Sequence, residues 1–249
     1  MMWLMLDIGN SSTKAALHDG SRIVRKARFD TVDPAHGEAF RTWANDASVD
    51  RAGAVSVVPG ADAAWRRLVE SAFDRPLGYY DHSSALPFEL VYDTPETLGN
   101  DRIAAAAGAA RPGRTRTSRP VIAVDTGTAV TYEVVTADGT YLPGPIAPGP
   151  ELMRRAVHAG TAQLPLVDLE MPESLTGAGT MRAIQAGIMA GFSDAVEGMI
   201  ARLLSELEPE VDIVLTGGWA EWLAHRMARP VTVEPDLVLL GVRELMNAH

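Results

Sequence analysis

Short apolar runs alternate with longer amphipathic segments along the first half of the chain. The pattern predicts three successive strands at residues 2–6, 13–18 and 21–29. Glycine-containing turns at residues 9–10 and 19–20 separate these strands. Three predicted helices (35–44, 61–73 and 103–110), a strand at 54–58 and an irregular segment at 76–98 complete this half.

The second half repeats the same order of elements. Strands are predicted at 121–124, 129–135, 140–142 and 211–215, with helical segments at 180–207, 219–227 and 237–247. Three strands followed by helices and strands, twice over, indicate an α/β architecture. The stretch 111–120 is polar, basic and rich in Gly and Pro, and is the candidate hinge. The predicted lobes are therefore residues 1–115 and 116–249.

Composition narrows the class of protein. The chain has 249 residues, 47% of them hydrophobic, which suits a globular protein. Its net charge of −10 argues against broad nucleic-acid binding. It contains no cysteine, which excludes disulfides, Cys-ligated zinc and Cys nucleophiles. The apolar run at residues 1–6 is too short for a signal peptide or a membrane span, so we expect a cytoplasmic protein without a membrane partner.

Two loops that follow predicted strands have the same chemistry. The motif DIGNSSTK begins at Asp7 and the motif DTGT begins at Asp125. Glycine lets the backbone approach phosphate oxygens, hydroxyl and amide groups donate to them, and the Asp can hold a hydrated divalent cation. Either loop alone is also an ordinary hairpin turn. Two such loops at corresponding positions predict a nucleotide held between duplicated lobes.

A third motif, GNDR at residues 99–102, precedes the helix predicted at 103–110. Asn100 and Asp101 suit a helix start. Asp101 is equally suited to accept a proton from a hydroxyl, and Arg102 to bind a carboxylate, an arrangement that phosphoryl transfer to an alcohol requires. The motif TGG at residues 216–218 fits either a strand-to-helix turn or a backbone surface for adenine or ribose.

Six motifs in a fixed order point to a family: DIGNS at 7–11, GNDR at 99–102, DTGT at 125–128, IAPG at 146–149, GAGT at 177–180 and TGG at 216–218. Together they resemble the type III pantothenate kinases of the acetate and sugar kinase, Hsp70 and actin superfamily. The resemblance covers nearly the whole chain and is weakest between residues 30 and 90. Pro143 and Ala186 depart from the family pattern, in which a glycine and a serine are usual.

The resemblance implies an α/β fold of two duplicated RNase H-like, actin-like lobes. Each lobe is a mixed sheet flanked by helices, and a nucleotide cleft lies between them. It also implies ATP-dependent phosphorylation of the primary hydroxyl of pantothenate to 4'-phosphopantothenate, the first step of coenzyme A biosynthesis. The implied cofactors are Mg²⁺ and a monovalent cation, K⁺ or NH₄⁺. Homodimers with sites near the subunit interface are usual in the family.

The resemblance assigns roles to individual residues. Asp101 is expected to be the proton acceptor and Asp125 a ligand of the monovalent cation. The expected ATP-binding residues are Asp7, Ile8, Gly9, Asn10, Ser11, Ser12, Thr13, Lys14 and Thr128. The expected pantothenate-binding residues are Tyr92, Gly99, Asn100, Asp101, Arg102 and Thr180, with Thr180 serving the neighbouring subunit's site. Without the resemblance, Tyr92 suits surface packing and Thr180 a helix N-cap.

Two other functions remain open from the residues. The same fold also supports a kinase for another small carboxylate-bearing alcohol or sugar, or a phosphatase. A non-catalytic ATP-binding accessory protein is a third hypothesis. The complete set of Asp7, Asp101, Arg102 and Asp125 argues against it, because a pure binding protein has no need of a base.

Overall fold

The computed structural model describes residues 1–32, 36–110, 119–176, 179–207 and 210–248. Contacts divide the chain into two compact units. The first unit comprises Met1–Arg116, Asp138–Leu142 and Asp236–His249, and the second comprises Thr117–Ala137 and Pro143–Pro235. The lobes 1–115 and 116–249 stay a prediction of domain organisation. The units differ from them in placing 138–142 and 236–249 with the first unit.

Eleven strands and seven α-helices form within the described residues. The strands are β1 Trp3–Ile8, β2 Ser12–His18, β3 Ile23–Asp30, β4 Arg51–Ser56, β5 Leu77–Tyr79, β6 Glu89–Leu90, β7 Val121–Thr126, β8 Ala129–Val135, β9 Thr140–Pro148, β10 Asp212–Thr216 and β11 Thr232–Val233. The helices are α1 His36–Ala44, α2 Pro59–Phe73, α3 Asn100–Ala110, α4 Pro150–Ala159, α5 Thr180–Glu206, α6 Ala220–Ala224 and α7 Leu237–Asn247, with a 3-10 turn at Pro95–Thr97.

The first unit is built on a mixed sheet of order β3-β2-β1-β4-β5. β1 runs antiparallel to β2 and parallel to β4. Every residue of β1 is buried, because the sheet is covered on both faces. Leu4 and Leu6 pack with Phe40 and Trp65 of the α1 and α2 helices. On the other side, Met246 of α7 lies so close to Gly53 of β4 that a Cβ there would sit 2.6 Å from its Sδ.

The second unit repeats this sheet. The second sheet has six strands in the order β6-β9-β8-β7-β10-β11. Its antiparallel β7–β8 pair and its parallel β7–β10 and β10–β11 pairs correspond to β1–β2, β1–β4 and β4–β5 of the first sheet. β7, which ends in the Asp125 loop, occupies the position that β1 occupies in the first sheet. Its core joins Ile122 and Val124 of β7 to Phe192 and Val196 of α5. The duplication predicted from two short motifs is therefore present in the topology.

Some local predictions need correction. The α4 helix was not predicted, and β9 extends to Pro148, six residues beyond the strand predicted at 140–142. Helix α3 begins at Asn100, three residues before its predicted start, and α6 is shorter than the predicted 219–227. Most of the candidate hinge (111–118), residues 33–35 and residues 177–178 lie outside the described residues. Within the described part of the chain, no helix is long and apolar enough to cross a membrane.

Candidate active site

Asp7 stands near the end of β1, where the parallel neighbour β4 also ends. It is 8% exposed and lies directly across from Lys14 on β2. The Lys14 Nζ is 3.2 Å from Asp7 Oδ2, so the two form a partly buried ion pair. The strand register therefore fixes a carboxylate and an ammonium side by side at the mouth of the first loop.

The turn between β1 and β2 is held from inside the unit. Gly9 N–H donates to Ser12 O at 3.2 Å, and the Thr31 hydroxyl donates to Gly9 O at 2.6 Å. The buried Thr13 hydroxyl lies 3.1 Å from that of Thr31, so its side chain points inward. Ile8 is likewise a core residue. Among the predicted ATP-binding residues of this loop, the exposed side chains are those of Asn10 and Ser11.

Asp101 lies in the first turn of α3, in the same unit as Asp7. Its Oδ1 accepts a hydrogen bond from Arg102 N–H at 2.8 Å. Burial raises the pKa of Asp101 above its ordinary value, and the charge of Asp7 raises it further. Hydrogen bonding and the charge of Arg102 oppose that rise without cancelling it. A carboxylate with a raised pKa is a better proton acceptor near neutral pH than an exposed one.

The contacts of Gly99, Asn100 and Arg102 explain why these residue types flank Asp101 in the GNDR motif. A Cβ at Gly99 would lie 2.6 Å from Asp101 Oδ1, so any larger residue displaces the carboxylate. Asn100 Nδ2 donates to Ser56 O at 2.9 Å, at the end of β4. Arg102 is 5% exposed, in keeping with a guanidinium held in a defined position beside the carboxylate.

The second loop belongs to the second unit and is held by backbone contacts. Gly127 N–H donates to Ala129 O, and Gly149 N–H donates to Thr128 O at 3.0 Å. The buried Thr126 hydroxyl donates to Thr216 O at 2.8 Å, joining the DTGT and TGG motifs. Gly217 adopts a φ of +91°, and a Cβ on it would clash with Asp125 Oδ1. The Asp125 carboxylate therefore occupies space that only a glycine leaves.

The donor chemistry at this loop suits a hard cation. The half-buried carboxylate of Asp125 offers oxygen ligands, which K⁺ and Mg²⁺ prefer over nitrogen or sulfur. No group of three or more His, Asp or Glu side chains able to hold a metal occurs in the described ranges. A cation here would therefore need ligands from the backbone or from the phosphates of a bound nucleotide in addition to Asp125.

Among the remaining predicted residues, Tyr92 lies apart from the motifs, Thr128 ends DTGT and Thr180 ends GAGT. Tyr92 follows β6 in the first unit and is 37% exposed. Thr128 is exposed at the tip of the β7–β8 turn, and Thr180 is the exposed first residue of α5. Both belong to the second unit. Their binding roles, like those of all the predicted site residues, stay predictions.

Sequence reasoning missed the residues that hold the site together. Ser56 O accepts a hydrogen bond from Asn100 Nδ2, and the Thr31 hydroxyl donates to Gly9 O, so each joins a motif residue that is distant in sequence. Neither had a local signal, because Ser56 lies within the strand predicted at 54–58 and Thr31 follows the strand predicted at 21–29.

Solved structures define the class of protein. A conserved Baf-family protein from Campylobacter jejuni matches with a TM-score of 0.60 and 18% identity, covering 98% of this chain and 97% of that one. The ROK hexokinase of Thermus thermophilus matches with a TM-score of 0.53 and 18% identity, covering 98% of each chain. The chain therefore has the fold of the actin-like ATPases and sugar kinases, which confirms the predicted fold class.

Sequence comparison identifies the family within that class. A family model described as type III pantothenate kinase matches residues 3–202. A type III pantothenate kinase of Chlorobaculum parvum is 37% identical over 99% of this chain and 94% of its own length. Another, from Phenylobacterium zucineum, is 31% identical over 100% and 98%. The chain belongs to the type III pantothenate kinases, as its motifs predicted, and members of this family phosphorylate pantothenate in coenzyme A biosynthesis.

Proposed function

We propose that this chain transfers the γ-phosphoryl group of ATP to the primary hydroxyl of pantothenate, with Asp101 as the general base. Asp101 accepts the hydroxyl proton while the substrate oxygen forms a bond to the γ-phosphorus. The bond from that phosphorus to the β-phosphate oxygen breaks, and ADP leaves. Family membership supports the substrate and the co-substrate.

The environment of Asp101 is the observation that carries this proposal. The residue is half-buried, and the pKa of its carboxylate is raised first by burial and then by the charge of Asp7. A pKa raised by burial together with a neighbouring charge is typical of functional sites, and it suits proton transfer near neutrality. A carboxylate that served only to start α3 would gain nothing from burial, because exposed Asp residues interact equally well with a helix N-terminus.

In the first unit, Arg102 is proposed to bind pantothenate, and Asp7 and Lys14 are proposed to bind ATP. Arg102, adjacent to the base, is proposed to bind the pantothenate carboxylate through its planar guanidinium. Asp7 and Lys14 are proposed to face the ATP phosphates, Lys14 directly and Asp7 through a hydrated Mg²⁺. The backbone N–H groups of Asn10 and Ser11 are proposed to donate to the phosphates, in the turn that Thr31 braces through Gly9 O. Tyr92 is proposed to contact pantothenate.

The second unit is proposed to supply the cation site and further ATP contacts. Asp125 would hold K⁺ or NH₄⁺, and Thr128 would contact ATP from the exposed tip of its turn. A monovalent cation placed there supplies positive charge near the phosphates, which stabilises the charge that develops during phosphoryl transfer.

A homodimer is proposed as the working form. Of the twelve large hydrophobic side chains exposed in the described residues, six fall between positions 146 and 181 of the second unit. Large exposed apolar surface in one region is typical of an interaction site. Thr180 begins α5 within this region and is proposed to serve the partner's pantothenate site. Light scattering on the purified protein measures the mass, and a monomer at micromolar concentration contradicts the dimer.

The test of function is a coupled assay for ADP formation with ATP, Mg²⁺ and a panel of alcohols. We expect turnover with pantothenate in KCl or NH₄Cl, and at least about tenfold less in NaCl. Sugars and short hydroxy acids are expected to be poor acceptors. Turnover with a sugar exceeding that with pantothenate would favour the alternative of another acceptor. Absence of phosphoryl transfer to every alcohol would favour a non-catalytic accessory protein.

A further inference from the structure

The side chain of Asn100 makes a contact that substrate binding does not explain. Its Nδ2 donates to Ser56 O at 2.9 Å, a partly buried hydrogen bond between residues 44 positions apart. The acceptor is a backbone carbonyl, whose position is set by the sheet and not by a rotamer. The amide of Asn100 is thus directed at the scaffold of the first unit.

The acceptor of this bond, the backbone carbonyl of Ser56, has a fixed position in the sheet. Ser56 is the last residue of β4 and lies in register with Ile8, the neighbour of Asp7. The next N–H along the chain, that of Val57, donates to Ile8 O at 3.1 Å and continues the parallel ladder. A side chain bound to Ser56 O is therefore held beside the end of β1, the strand that carries Asp7.

From Ala104 onwards, α3 packs on α7. Gly108 and Gly241 allow the two helices to pack backbone to backbone, since a Cβ on either would clash with the opposite helix. In the first turn, the bonds from Arg102 N–H to Gly99 O and to Asp101 Oδ1 move with the turn itself. The bond from Asn100 to Ser56 joins this turn to the end of β4.

We propose that Asn100 is a positioning residue, whose amide fixes the first turn of α3 and so the Asp101 carboxylate beside the end of β1. This inference rests on the proposed role of Asp101 as general base. It gives Asn100 a task different from the substrate contact that the family resemblance assigned to it. A base displaced by about 1 Å loses up to 10²-fold in rate, so one hydrogen bond at this turn has a large effect on turnover.

The test uses Asn100→Ser and a matched control, Ser56→Ala. Serine is a good helix-start residue but too short to reach Ser56 O, so the variant is expected to fold. Ser56→Ala keeps the carbonyl acceptor and removes a different hydrogen bond, that from Val58 N–H to Ser56 Oγ. Both changes are made in the parent and in an Asp101→Asn background, and kcat and KM are measured at high enzyme concentration.

We expect Asn100→Ser to lower kcat about 10- to 100-fold with the KM for ATP within about twofold. In the Asp101→Asn background the same change is expected to have less than about a twofold effect, because residues that act as a unit are not additive. Ser56→Ala is expected to leave kcat within about twofold. Parent-like kcat in Asn100→Ser, or the same fold loss in both backgrounds, would overturn the inference.

A second measurement does not depend on turnover. Titration of the Asp101 carboxyl carbon by NMR, assigned with Asp101→Asn, reports the surroundings of the carboxylate. The charged groups acting on it are Asp7 on β1 and Arg102 on its own helix, with Lys14 of β2 paired to Asp7. In Asn100→Ser we expect the pKa of Asp101 to fall towards its ordinary value as the turn loosens. An unchanged pKa would overturn the positioning role even if the parent proved inactive on pantothenate, an outcome that would refute only the proposed function.

Discussion

Lys14 and Asp7 face each other across the first two strands, with the Lys14 Nζ 3.2 Å from Asp7 Oδ2. The charge of Asp7 also raises the pKa of Asp101. Lys14 is therefore proposed to act in two ways. Its ammonium would bind the ATP phosphates, and, because it pairs with Asp7, it would partly offset the negative field of Asp7 at the proposed base.

Replacing Lys14 with Met should change both properties. We expect the KM for ATP to rise about tenfold, the effect of losing about 1.4 kcal/mol of binding. Removing a positive charge also leaves Asp7 uncompensated, so the pKa of Asp101 rises and the acidic limb of kcat/KM moves to higher pH. The pH profile of kcat/KM measures this shift. Lys26, the other lysine, pairs with Asp236 on the surface, and Lys26→Met is the control expected to change neither value.

The Asp101→Asn variant is expected to lose activity but to gain thermal stability at pH 8. We expect kcat to fall by about 10²- to 10⁴-fold, the usual contribution of a general base, while ATP binding measured by calorimetry persists. The pKa of Asp101 is raised in the folded state above its ordinary value. Ionisation of Asp101 therefore lowers the free energy of unfolding as the pH rises through that pKa. Asparagine does not ionise. The variant is therefore expected to have a higher Tm than the parent at pH 8, and the difference should shrink as the pH falls towards 4.

The control for this stability effect is Asp46→Asn. Asp46 is exposed and has a φ of 66°, a conformation that Asn also accepts. Because Asp46 is exposed, the same chemical change there is expected to alter the Tm little at either pH. A lower Tm for Asp101→Asn at pH 8 would show that the Asp101 carboxylate is better accommodated than its burial implies.

The elements predicted from the sequence are those whose signal lies within a short stretch of the chain. The strands that carry Asp7 and Asp125 were predicted because an apolar run meets a glycine turn, a signal contained within ten residues. The α4 helix was missed because its start, Pro150 after Gly149, continued a proline-rich stretch. Prolines at 143, 145 and 148 hid the part of β9 beyond the strand predicted at 140–142, since Pro is unusual within strands.

The contacts that complete the site are non-local and left no pattern in the sequence. Asn100 and Ser56 are 44 residues apart, and Thr126 and Thr216 are 90 residues apart. Each looks like an ordinary helix-start or strand-end residue until the sheet brings it to its partner. The placement of α7 in the first unit has the same origin, because its packing against α3 and β1 depends on surfaces far away in the chain.

The packing of α3 on α7 predicts a large stability effect at Gly241. A Cβ there would clash with the backbone of Ala104, which cannot move without shifting the helix that carries Asp101. Gly241→Ala should therefore cost about 1–3 kcal/mol or more, as expected for overpacking, despite the higher helix propensity of Ala. Urea denaturation measures this loss. Gly198→Ala in α5 meets open space and should stabilise by about 0.5–1 kcal/mol; a similar loss in both variants would refute the packing argument.

The last prediction concerns the proposed cation site and two adjacent glycines. Gly217 has a φ of +91° and abuts Asp125 Oδ1 and the backbone of Thr126, whereas a Cβ on Gly218 would have no neighbour within 4 Å. Gly217→Ala should strain the backbone and push the Asp125 carboxylate from its place, and Gly218→Ala should do neither. Both variants therefore add one methyl group to the same turn but differ in whether it reaches Asp125.

We expect Gly217→Ala to raise the K⁺ concentration for half-maximal activity by about tenfold, equivalent to about 1.4 kcal/mol of lost cation binding. It should also reduce the rise in Tm that KCl produces over choline chloride, a readout that needs no turnover. Gly218→Ala should match the parent in both measurements. If Gly217→Ala lowers the Tm but leaves the K⁺ dependence unchanged, the methyl group strains the turn without disturbing a cation, and Asp125 is not the ligand. Any K⁺ requirement would then have to arise elsewhere in the protein.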